Sequence, residues 1–272
     1  MYDFNLGSAD YIKNNEEQYL LSIKKMLPRW LNSISDSIFL QLHGLLSSHC
    51  NRKEVVIAET GVGASTILFA YHAMKNEGQL FSWDIAGAKG SEIRNIINDT
   101  LCKTLKVSVW DIWTFIPSQS LSPYLGIPVV GEMNLSLDFM FCDGDHTWNT
   151  IEGEIHAFSS IASQKCVFAM DDAYLEYKGF NTSYINTIRK KLGLCPVSIS
   201  DNECKPFGEQ AEKLLGSNFT GIEKIASPQN EVEEFDILHS YNVDDQLENN
   251  IKAMNELAAK NSRFVAWKLA KL

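Results

Sequence analysis

Apolar positions along the chain follow two alternating rhythms. Near the amino terminus they recur every three to four residues. Tyr19, Leu20, Ile23, Met26 and Leu27 form one helical stripe, halted by Pro28. Ile34, Ile38, Phe39, Leu42, Leu45 and Leu46 form a second, with Ser33, Ser35 and Asp36 as candidate caps. From Val55 onward the pattern becomes short apolar runs separated by helical ones. Residues 55–58, 79–83, 106–110, 137–142 and 166–170 read as five strands, with helices over 64–74 and 93–105. Strand, glycine turn and helix in that order open a βαβ unit and predict an α/β fold.

Each of these strands ends at or beside an acid: Glu59, Asp84, Asp111, Asp143 and Asp171, spaced 25, 27, 32 and 28 residues apart. The spacing is close to the roughly 30 residues of one βα repeat. In an open parallel sheet the ligand lies beyond the carboxyl ends of the strands, so the five acids are expected to converge on one crevice. Residues 117–133 carry three prolines and two glycines and read as a long loop of the kind that often lines a site. Further on, 182–192 reads as a helix, and 197–200 with 220–225 as a hairpin finishing the sheet. Residues 244–271 read as an amphipathic helix lined by Leu247, Ile251, Met254, Ala258, Val265 and Leu269. The expected organisation is a helical cap over 1–50, a ligand-binding α/β domain over 51–240, and a helix over 241–272 packed on that domain.

Composition narrows the functional classes. The 272 residues are 45% hydrophobic, enough for a sizeable core, and carry a formal charge of −10. That acidity disfavours nucleic acid or an anionic membrane as partner. No apolar run approaches the roughly 18 residues of a membrane span. The first residues lack the basic-then-apolar order of a secretory signal, and the six cysteines form no CxxC pair. A cytoplasmic protein with reduced thiols is expected.

Three sites carry candidate chemistry. In the turn 59–66, ETGVGAST, Gly61 and Gly63 let the backbone approach a ligand, and the amides opening the next helix suit an anionic group. Asp84, at the end of the next strand, suits ribose hydroxyls. The third glycine of the dinucleotide fingerprint is replaced by Thr66, which weakens a reading as a nucleotide-dependent oxidoreductase. Asp143-Gly144-Asp145-His146 and Asp171-Asp172 then bring several carboxylates to neighbouring strand ends. Such like charges are unfavourable together unless a cation or proton intervenes, and oxygen donors of this type suit a hard divalent ion.

ETGVGAST, the following WDI, FCDGDHTW and FAMDDAY together resemble the class I S-adenosylmethionine-dependent methyltransferases over roughly residues 54–180. More narrowly, they resemble the branch of metal-dependent O-methyltransferases acting on sugars and related small molecules. The resemblance implies a Rossmann-like, mostly parallel seven-stranded sheet with helices on both faces. It implies that Glu59, Gly61, Gly63, Ser65 and Thr66 contact the methionine part of S-adenosyl-L-methionine, and that Asp84 holds the ribose. It places Asp111 near the adenine amino group and counts Asp143 among the cofactor-binding residues. Asp143, Asp171 and Asp172 would bind Mg²⁺ or another divalent cation, and Asp145, or alternatively His146, would serve as the base. Two positions depart from the branch: Gln164-Lys165 replaces a Gly-Gly turn, and Ala173 precedes the aromatic Tyr174. The expected partner is a hydroxylated small molecule, with neither nucleic acid nor membrane; homo-oligomerisation is left open. A methyltransferase-like binding protein without catalysis is the alternative from another class.

Overall fold

The central strands are apolar on both faces, which suits a sheet covered by helices on both sides. A computed structural model describes residues 15–173, 186–198, 207–226 and 264–271. It contains strands β1 (Val56–Thr60), β2 (Gln79–Trp83), β3 (Trp113–Ile116), β4 (Leu137–Cys142), β5 (Ala162–Met170), β6 (Gly221–Ala226) and β7 (Val265–Ala270). They form one seven-stranded sheet in the order β3-β2-β1-β4-β5-β7-β6. The pairings among β1 to β5 are parallel, and β7 runs antiparallel to both β5 and β6. Every residue of β1 and β4 is buried.

Side chains alternate between two cores, as the strand period requires. Ile57, Phe139, Phe141, Val167 and Ala169 face one core, shared with helices α1 (Glu16–Lys24), α2 (Asp36–His49) and α3 (Ala64–Lys75). Val56, Ala58, Met140, Cys142, Phe168 and Met170 face the other. Helices α5 (Trp148–Ile161) and α6 (Phe207–Asn218) cover that side, and α4 (Gly87–Ile97) follows β2 on the first. Both amino-terminal stripes are largely buried, although Met26 is exposed. Of the three candidate caps Ser35 serves, its hydroxyl accepting from the Ile38 amide at 3.1 Å.

Three expectations fail, each for a local reason. The third strand does not occupy 106–110. Lys106 adopts a left-handed φ of 58° and Ser108 caps a helical turn, Val109–Ile112, so the strand begins only at Trp113. Asp111 is consequently exposed at the amino end of β3, opposite the crevice; of the five acids, Asp84 and Asp143 line it, and Glu59 lies buried beneath it. Residues 265–270 are strand β7 and not part of a helix. The pair Val265 and Leu269 fits a helical stripe, but Val265, Trp267 and Leu269 fit period two equally well, and all three are buried in the second core. Val197 and Ser198 are not a strand, because the Asn186 side chain takes both backbone groups of Val197, at 2.7 and 2.8 Å. The antiparallel partner of β6 is therefore β7.

Helix is seen over 186–191; residues 182–185, 199–206 and 244–263 of the expected elements lie outside the described residues, as does Cys204. Cys50, Cys142 and Cys166 are buried and free, and Cys102 and Cys195 are free. Among the described residues no helix is long and apolar enough to cross a membrane.

Candidate active site

The strand order reverses between β1 and β4, and there the turns that follow the two strands press together. The Asp143 amide donates to the Thr60 carbonyl at 2.9 Å, and the Gly61 amide donates to that of Trp83 at 2.8 Å. Gly61 has φ +83°, and any Cβ on it would overlap the carbonyl oxygen of Asp143. The chain crosses here as bare backbone because nothing else fits. Beyond Gly61, α3 opens with the Gly63 amide donating to Thr66 Oγ1 at 3.1 Å.

Glu59 lies beneath this turn, fully buried. Its Oε2 accepts from Ser65 Oγ at 3.0 Å and its Oε1 from Ser82 Oγ at 2.7 Å. Ser82 Oγ in turn accepts from Trp113 Nε1 at 2.8 Å. Glu59, Ser65 and Thr66 thus brace the turn from within the core. Burial pushes the Glu59 carboxyl up from 4.5 to about 7, against the pull of its hydroxyl donors. The folded protein then keeps a proton that the unfolded chain releases near pH 4.5. The stabilisation from Glu59 is complete below pH 4.5 and is lost as pH rises through 7. Relative to wild type, the melting temperature of Glu59→Gln should therefore rise between pH 4.5 and 8, by on the order of 5 °C. Parallel melting curves across that range would contradict this assignment.

Asp84 directly follows β2 and is well supplied with donors. Its Oδ2 accepts from the Val62 amide at 3.0 Å and lies 3.3 Å from Lys89 Nζ, while Oδ1 accepts from the Ala86 amide at 2.7 Å. A carboxylate has about four lone-pair sites, so one is left for a ligand hydroxyl.

Asp143, Asp171 and Asp172 come together at the ends of β4 and β5. Burial, then the charges of Asp171 and Asp172, hold the Asp143 carboxyl well above its usual range. His146 Nε2 stands 3.7 Å from Asp143 Oδ1 and 3.6 Å from Asp172 Oδ2. Asp172 adopts a left-handed φ of 47°. Asp145 is exposed, and its Oδ2 accepts from the hydroxyls of Thr147 and Thr150 at 3.2 and 2.9 Å. The donor chemistry suits a hard cation, since crowded carboxylates gain most from one. No three His, Cys, Asp or Glu side chains among the described residues are pre-arranged around a single metal position.

A cleft of about 490 Å³ opens above these strand ends. Thr60, Gly61, Asp84, Asp143, Gly144 and Asp145 line it, together with Lys89, residues 118–121 and Glu154. Glu154 was not singled out by sequence. Its signal was an acid on the inward stripe of α5, between Ile151 and Ile155. Lys89 and Ser120 gave no comparable signal. Trp113 is buried in the core, while Trp110 is exposed under the Arg94 guanidinium at 4.1 Å.

No family model matches the sequence, and no curated protein matches it. Solved structures do. An O-methyltransferase from Bacillus cereus, determined in complex with SAH, aligns with a TM-score of 0.56 at 12% identity over 96% of both chains. A Klebsiella pneumoniae protein assigned as an O-methyltransferase aligns at 0.52 and 13% identity, over 97% of this chain and 95% of its own. Both relationships are of fold. The chain has the Rossmann-like fold of the class I S-adenosylmethionine-dependent methyltransferases.

Proposed function

We propose that the protein is an S-adenosylmethionine-dependent O-methyltransferase acting on a hydroxyl of a sugar or other small molecule, with a divalent cation at the acceptor end. The observation that carries this reading is the cleft at the β1–β4 reversal, where a bare glycine backbone at Gly61, the ribose-type acid Asp84 and the carboxylates of Asp143 and Asp145 share one lining. The O-methyltransferases with the same fold support the reaction class.

In this reading the Gly61 turn admits the methionine portion of the cofactor, and Asp84 accepts from a ribose hydroxyl. Next to β2, residues 118–121 follow β3 and close the nucleoside end. Asp143, Asp171 and Asp172 would hold Mg²⁺, which supplies a fixed positive charge that acidifies and orients a hydroxyl. Asp145, exposed in the cleft and aimed by Thr147 and Thr150, takes the proton of the acceptor hydroxyl. His146, between two carboxylates, is the alternative base. The sulfonium methyl is already activated, so the remaining task is alignment, which can contribute about 7–11 kcal/mol.

Calorimetry should give binding of S-adenosylmethionine and none of NAD; the reverse would assign an oxidoreductase. Labelled-methyl transfer should then be screened over sugars, catechols and other hydroxylated compounds, with and without chelator. Transfer that stops in chelator and returns with Mg²⁺ is expected. Full activity in excess chelator removes the metal, and binding without transfer to any acceptor identifies a binding protein.

A further inference from the structure

Glu154 takes no part in the steps above, yet its position is costly. It occupies the inward face of α5 among Ile151, Ile155 and Phe158, and is 1% exposed while lining the cleft. Among the described residues no lysine, arginine or histidine lies within 4 Å of its carboxylate, which a buried charge would ordinarily require. What it has are neutral donors from two separate segments. Ser120 Oγ, in the loop after β3, donates to Oε1 at 2.6 Å. Thr60 Oγ1, at the end of β1, donates to Oε2 at 3.3 Å.

The loop carrying Ser120 has a second attachment further along, where Trp83 Nε1 donates to the Leu125 carbonyl at 2.6 Å. Ser120 is the attachment nearer the cleft. Resting on the methyltransferase reading, we propose that Glu154 is a positioning residue. It fastens the 118–121 wall to the β1–β4 reversal and thereby sets how tightly the nucleoside part of the cofactor is held. An acid suits this task because its two oxygens serve two segments at once, which neither a hydroxyl nor an apolar side chain of that size does. With the tie gone, the cofactor must order the wall as it binds, and affinity falls.

The test is calorimetric titration of S-adenosylmethionine into the full chain and three variants. Glu154→Ala is expected to weaken binding about tenfold, and Ser120→Ala about threefold to tenfold. Glu154→Gln should stay within about threefold of wild type, because serine and threonine hydroxyls donate or accept equally well and both ties survive loss of the charge. The double variant Glu154→Ala/Ser120→Ala should be no weaker than Glu154→Ala alone, since both remove one tie. Ser120→Ala, which deletes one hydroxyl, carries the test if Glu154→Ala does not fold. Folded variants that bind as wild type overturn the proposal, and so does a Glu154→Gln as weak as Glu154→Ala. A wild-type protein that binds no S-adenosylmethionine overturns instead the methyltransferase reading beneath it.

Discussion

Gly61→Ala is expected to abolish detectable cofactor binding and to destabilise the fold by about 3 kcal/mol or more. The left-handed φ alone costs a residue with a side chain roughly 1–2 kcal/mol. The added Cβ would also overlap the Asp143 carbonyl oxygen and lie 2.7 Å from its carbon. Those are backbone atoms, so no rotamer change relieves the conflict, and the turns after β1 and β4 must separate. Gly63→Ala is the control. Its φ of −172° is extended and open to any residue, and its Cβ would meet only the Leu31 carbonyl at 3.3 Å. A loss below about 1 kcal/mol is expected there, with binding retained. Thermal melts and calorimetry on the pair decide the matter: two glycines alike in sequence should behave unlike. Equal effects would mean that the turn is not held by the contact at Asp143.

Asp143→Asn should move activity and stability in opposite directions. In the proposed mechanism methyl transfer falls by at least about 100-fold, because one of the carboxylates assigned to the cation is lost. The metal-free protein should at the same time melt higher. Asp143 is partly buried beside Asp171 and Asp172, and its carboxyl is held well above the usual range. Its proton is therefore kept on folding, and the ionised form costs stability as pH rises above the ordinary carboxylate value. The amide has nearly the same shape without the charge. A rise of roughly 2–4 °C near pH 8 in chelator corresponds to about 1 kcal/mol of relieved repulsion. A variant that transfers methyl groups normally would remove Asp143 from the mechanism. A lower melting temperature would mean that the carboxylate makes favourable contacts outweighing the repulsion.

The strands that build the cleft were legible for a physical reason. β1, β2 and β4 are buried along almost their whole length and are mostly apolar, and an acid stands at or beside the end of each one. β3 escaped because Val107 and Val109 imitate a strand, while the decisive features were a capping serine and a left-handed lysine, Ser108 and Lys106. That displacement by a few residues carried Asp111 to the wrong end of the sheet. β7 escaped because apolar residues four apart satisfy both periods, and burial decides between them only once the sheet exists. Within the site, carboxylates on consecutive residues or beside glycine were conspicuous. Glu154 was not, since a lone acid on a helical stripe acquires meaning only when Thr60 and Ser120 are gathered around it from distant parts of the chain.

The place of β7 has a consequence for the order of assembly. β1 to β5 are complete by residue 170 and pair with one another in parallel. Among the described residues β6 is the next strand, and its sheet neighbour there is β7, nearly 40 residues later. A chain growing from the ribosome thus has the cleft-forming half of its sheet in hand while one strand waits and the far edge of β5 stays unpaired. Until residues 265–270 arrive, that edge is an open template for any extended segment. The interval between synthesis of β5 and docking of β7 is therefore the period in which the nascent protein is most open to mispairing.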